Sequence, residues 1–83
     1  MSKKILEIGF IGGGIDSGIG KTHYNSIRLN NNWELSAGFF SRNKKLNNLS
    51  GKKYNIPKNR IYNSIDSFLK NEKEIAAVSL LTP

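Results

Sequence analysis

The sequence predicts an α/β fold, a parallel sheet with helices on both faces. Three observations predict it. Apolar or alternating runs recur at 5–11, 33–40, 60–62 and 75–81, as strands require. Segments with helical spacing separate them. The first run ends at Gly12-Gly13-Gly14, with Gly18 and Gly20 following, the composition of a tight strand-to-helix turn. Strands alternating with helices imply right-handed crossovers and parallel pairing. The simplest strand order is 3-2-1-4, part of a doubly wound sheet.

Each element has its own reasons. Residues 5–11 are apolar apart from Glu7, which suits a strand covered on both faces. Asp16 or Ser17 is placed to cap a helix over 19–29, with Ile19, His23 and Ile27 on one stripe beside Ser26. Asn30-Asn31-Asn32 ends that helix. In 33–40, Trp33, Leu35, Ala37 and Phe39 alternate with Glu34, Ser36 and Gly38. A second helix over 43–54 turns Leu46, Leu49 and Tyr54 inward and its lysines outward, capped by Ser41 or Asn43. Pro57 blocks its continuation. A short third strand follows at 60–62. Ser64 then caps a helix with Ile65, Phe68 and Leu69 on one face. The last strand, 75–81, is apolar enough to be buried on both faces. In the 3-2-1-4 order it is a bare aliphatic edge, and natural sheets rarely leave such an edge open. Two expectations follow: the chain is the N-terminal piece of something longer, or copies pair along that edge as a homo-oligomer.

The totals exclude several classes. Eighty-three residues build one small domain. Without cysteine there is no disulfide or thiolate metal site, and one histidine builds no zinc site, so no metal is expected. The N-terminus lacks a signal or spanning segment, so no membrane and a cytoplasmic location are expected. The net charge of +7 comes from lysines spread along the chain, without interleaved aromatics, so it reads as solvated surface rather than a nucleic-acid face.

The glycine stretch carries the chemistry. A buried strand, a glycine turn and a helix start bring backbone N–H groups and a partial positive charge to a phosphate. Two phosphate-binding patterns compete. Residues 15–22 match the NTP-binding P-loop, Gly-x-x-x-x-Gly-Lys-Ser/Thr, except that Ile15 replaces the first glycine. Neither the second nor the last strand ends in the aspartate that a hydrolytic P-loop needs for its metal. In the dinucleotide pattern, Gly12 and Gly14 form the Gly-x-Gly pair. The strict third glycine falls at Ser17, and Gly20 takes that part after a longer loop. An acidic residue that holds the adenosine ribose is expected roughly 20 residues further on. There stand Ser41 and Arg42, with Lys44 and Lys45 near, a hydroxyl and cations that attract a 2′-phosphate. NADP is therefore favoured over NAD.

Taken in order, these pieces resemble one family over essentially residues 5–83. They are the runs Ile8 to Gly14, Ser17 to His23, Glu34 to Arg42, Arg60 to Tyr62 and Val78 to Pro83. The chain is similar to the N-terminal Rossmann domain of the glucose–fructose oxidoreductase and inositol dehydrogenase (Gfo/Idh/MocA) family. The resemblance implies that residues 1–83 are an NAD(P)-binding domain cut after its fourth strand. Gly12, Gly14 and Gly20 would shape the pyrophosphate site, with Ser17 and Ile19 along it. Ser41 and Arg42 would meet the ribose or its 2′-phosphate, and Leu81, Thr82 and Pro83 would flank the cofactor. His23 matches a common family position and reads as a packed helix histidine. The family's Glu-Lys-Pro segment and its C-terminal substrate domain are not in this sequence, so no catalytic residue is named. The implied parent moves a hydride between a nicotinamide and a sugar or polyol hydroxyl. The 83-residue chain alone is expected to be inactive. The alternatives are a P-loop-like NTP-binding fragment and a small module that interacts through the open strand edge.

Overall fold

The computed structural model describes residues 5–30 and 32–81. Strand β1 (Leu6–Gly12) is central. Helix α1 (Gly18–Leu29) leads to β2 (Trp33–Phe39), and α2 (Lys44–Lys53) leads to a 3-10 turn (Lys58–Arg60). Helix α3 (Ile65–Asn71) leads to β3 (Ala77–Leu81). The sheet is parallel in the order β2-β1-β3. The expected order 3-2-1-4 is corrected to these three strands. Residues 60–62 form a single parallel bridge from Ile61 to Gly38 rather than a strand. Arg60 belongs to the 3-10 turn and Ser64 already caps α3, so too few residues remain in between for a ladder.

The helix caps are side chains in the expected places. Ser17 Oγ accepts from the N–H of Gly20 at 3.2 Å, Asn43 Oδ1 from Leu46 at 3.0 Å and Ser64 Oγ from Ser67 at 3.1 Å. Each meets one of the first-turn N–H groups that a helix leaves unpaired. The helix faces differ from expectation. In α1 the inward residues are Gly20, Tyr24 and Ile27, while Ile19 is 53% exposed and His23 is exposed. The stripe is rotated by one residue because Gly20, without a side chain, is where the helix meets the backbone of Gly13, just past the end of β1. In α2 the buried residues are Asn47, Ser50 and Gly51, with Leu49 turned out. In α3 only Phe68 is buried.

Two small cores flank the sheet. On the α1/α2 face, Phe10, Leu35, Phe40, Tyr54, Ile56 and Leu81 pack together, joined by Tyr24 and Ile27. Phe10, Phe40 and Tyr54 meet edge to face, with centroids 5.4–6.3 Å apart, an arrangement that suits the ring quadrupoles. On the α3 face, Phe68 lies among Ile11, Ala37 and the half-buried Tyr62 and Ile75. Leu35 and Ala37 sit two apart yet serve opposite faces. The register explains this: Ile8 pairs with Leu35 and Gly9 with Ala37, so Ser36 is an extra residue that flips the alternation.

Strand β3 pairs only with β1 and forms one edge of the sheet. It is not buried on both faces as expected: Val78 and Leu80 are exposed, Leu80 by 71%, because no described element covers their side. Near the N-terminal end of β1, Arg60 ties the chain together. Its guanidinium donates to both oxygens of Glu7, at 3.0 and 3.2 Å, and to both of Glu72, at 2.6 and 3.0 Å. Glu7, the one charged residue of β1, is thereby accounted for. Among the described residues, no helix is long and apolar enough to cross a membrane.

Candidate functional site

The C-terminal end of β1 enters the glycine loop through two left-handed residues, Gly12 at φ +89° and Gly13 at φ +74°. A side chain at either would be strained. The chain then turns, with the Ser17 N–H donating to the Gly14 carbonyl at 2.8 Å, and α1 begins. Gly20, in the first turn of α1, lies against Gly13. A Cβ on Gly20 would overlap the carbonyl and Cα of Gly13. This close approach lets the start of α1 sit directly over the end of β1.

Side chains from α2 hold the loop from behind. The N–H of Ile15 donates to Ser50 Oγ at 2.9 Å, and Ser50 donates on to the Leu46 carbonyl at 2.7 Å. The Tyr54 hydroxyl donates to the Gly13 carbonyl at 2.9 Å across 41 residues of sequence. Burial, then the neighbouring Tyr24 and Asp16, raises the pKa of Tyr54 above that of an ordinary phenol, which keeps it protonated as a donor. Asn47, fully buried, accepts from the N–H groups of Phe40 and Ser41 and donates to the Tyr62 carbonyl. It fixes the tip of β2 beside the loop.

In front of the loop lies a cleft of about 350 Å³. Gly12, Gly14, Ser17 and Ile19 line it from the loop and α1, and Leu81 lines it from β3. All five are among the residues the sequence singles out. Gly20 stands behind the loop, in contact with Gly13. Ser41 and Arg42 follow the cleft-lining Phe40 but do not line the cleft themselves. The Ser41 hydroxyl accepts from the Asn43 N–H at 3.1 Å, and Arg42 is exposed. Thr82 and Pro83 lie outside the described residues.

Three more residues line the cleft that sequence reasoning passed over as ligand groups: Gly13, Asp16 and Phe40. Gly13 was legible inside the triple glycine, and Asp16 was weighed only as a cap. Nothing in the sequence singles out Phe40, whose place depends on where β2 ends.

Chemically the cleft offers backbone donors. Among the described residues the N–H groups of Gly18 and Ile19, the first two of α1, have no hydrogen-bond partner, and the first turn carries no acid. With the helix dipole they form a seat for an anion. The P-loop alternative needs Lys21 and Thr22 at the same seat. Lys21 instead lines a groove on the flank of α1 with Tyr24, Arg28 and Lys53, and the Thr22 hydroxyl donates to the Gly18 carbonyl at 2.9 Å.

No family model matches the sequence, and no curated protein does. Solved structures do match. An oxidoreductase from Sinorhizobium meliloti is 29% identical, with a TM-score of 0.82, over 98% of this chain and 23% of its own. An inositol dehydrogenase homolog from Azotobacter vinelandii, solved with NAD+, is 26% identical at 0.82 over 99% and 23%. The same homolog solved with NADH and myo-inositol matches equally well. The chain thus spans about a quarter of the length of these structures. The resemblance to the N-terminal Rossmann segment of the Gfo/Idh/MocA oxidoreductases, read first in the sequence, holds across the whole chain.

Proposed function

We propose that the chain is the dinucleotide-binding segment of an NAD(P)-dependent oxidoreductase acting on a sugar or polyol hydroxyl. One observation carries this reading. The glycine loop opens a cleft at the C-terminal ends of β1 and β3, beside the tip of β2, where an open α/β sheet takes its ligand. The neighbouring structures that hold NAD+, NADH and myo-inositol support the cofactor and the substrate class.

The cofactor, when bound, supplies the hydride chemistry. The chain's own part is to bind and orient. The Gly18 and Ile19 N–H groups receive the diphosphate, with Gly12 and Gly14 allowing its approach. Ser17, its hydroxyl committed to the Gly20 N–H, keeps the start of α1 in place. Ile19 and Leu81 offer apolar wall. Ser41 and Arg42 stand beyond Phe40, within a short step of the adenosine ribose. The substrate pocket and catalytic groups belong to the remaining three quarters of such an enzyme.

Hydrogen exchange tests the reading. NADH is expected to slow amide exchange across residues 12–20, and ATP with magnesium is not. Protection by ATP–magnesium alone overturns the proposal in favour of an NTP site.

A further inference from the structure

We infer that Asp16 makes this cleft select a dinucleotide with a bare adenosine ribose over one that carries a 2′-phosphate. The inference rests on the dinucleotide reading above and deepens it. The tip of β2 has no carboxylate; it has Ser41 and Arg42, which by sequence favour NADP. The fold brings a carboxylate to the same place by another route. Asp16 Oδ1 and the carbonyl oxygen of Phe40 lie 3.0 and 3.4 Å from the one point where a Cβ on Gly14 would stand. The carboxylate of the loop thus lies near the end of β2, the place where a doubly wound sheet holds the adenosine ribose.

Among the described residues, Asp16 is the one ionisable group lining the cleft, and it is exposed. Among the described residues its carboxylate makes no hydrogen bond or ion pair, so both oxygens are open to accept from the ribose 2′ and 3′ hydroxyls. The same oxygens meet a 2′-phosphate as like charge. The polar groups at the tip of β2 are meanwhile engaged: the N–H groups of Phe40 and Ser41 donate to Asn47, and the Ser41 hydroxyl serves the Asn43 N–H. Arg42, Lys44 and Lys45 are exposed and do not line the cleft, so solvent and salt screen them.

The test titrates the full chain with NADH and with NADPH, following amide shifts. Wild type is expected to bind NADH more tightly. Asp16→Asn and Asp16→Ser are each expected to move the NADH-to-NADPH affinity ratio toward NADPH by about tenfold, the scale of one exposed charge facing a phosphate. High salt is expected to shrink that change. A wild type that prefers NADPH overturns the inference. So does an unchanged ratio in both Asp16 variants, or an equal loss for both nucleotides, which marks a purely structural role. Failure of both nucleotides to bind wild type overturns the cofactor reading itself, and this inference with it.

Discussion

Gly20 meets Gly13 backbone to backbone, and the site depends on that contact more than on any side chain. Replacing Gly20 with Ala puts a methyl group into the Gly13 carbonyl, which cannot yield without moving β1 or α1. The expected cost is about 2–3 kcal/mol, with the glycine-loop amides losing protection first; thermal unfolding and hydrogen exchange measure both. The sequence makes Gly20 legible as a loop glycine by spacing alone. It does not make Gly13 legible as its partner, because contact across the turn depends on how closely helix and strand approach. Asp16 was hidden for a similar reason: its carboxylate is judged by what it faces, and Phe40 faces it only in the folded chain.

Helix α2 is the element whose sequence misleads most. Its leucines suggest an apolar inner face, yet Asn47 and Ser50 are fully buried and Leu49 is 47% exposed. The polar pair is buried because it satisfies backbone that a loop-rich site leaves unpaired: Phe40, Ser41 and Tyr62 for Asn47, and Ile15 for Ser50. Period alone cannot find such a face, since it depends on groups elsewhere in the chain. Asn47→Leu keeps the branched shape, with some added bulk, and removes three hydrogen bonds. It is expected to cost about 2–3 kcal/mol in denaturant unfolding and to loosen the tip of β2. The three strands that form were legible to within two residues, with β2 found at residues 33–39 against an expected 33–40, whereas the expected strand at 60–62 is a single bridge. The Ser36 bulge was not, because alternation in sequence continues unbroken through it while the register does not.

At the scale of the molecule, an ion cluster and an open edge stand at opposite extremes of protection. Hydrogen bonds from Arg60, opposed by burial, hold the carboxyls of Glu7 and Glu72 below the usual range. Burial first, and then the Glu72 carboxylate, pushes the Tyr62 hydroxyl up to about 12. Depressed carboxyl pKa values mean that this stability is fully present above about pH 4.5. It is lost as pH falls through the lower folded values. Arg60→Gln is expected to cost roughly 1–2 kcal/mol at neutral pH, since the cluster is partly exposed, and to flatten the acid limb of a stability–pH curve. At the other extreme, β3 presents Val78 and Leu80 to solvent along an unpaired edge. The expectation that copies pair there predicts self-association on sizing at rising concentration, weakened by Leu80→Lys. A monomer at every concentration contradicts it.

The central claim is that a diphosphate sits between Gly12 and Gly20. A crystal structure of the chain with NADH tests it most directly. The account predicts the diphosphate on the Gly18 and Ile19 N–H groups with the ribose beside Asp16 and Phe40. A dinucleotide lodged instead along the flank of α1, against Lys21, Arg28 and Lys53, would contradict it.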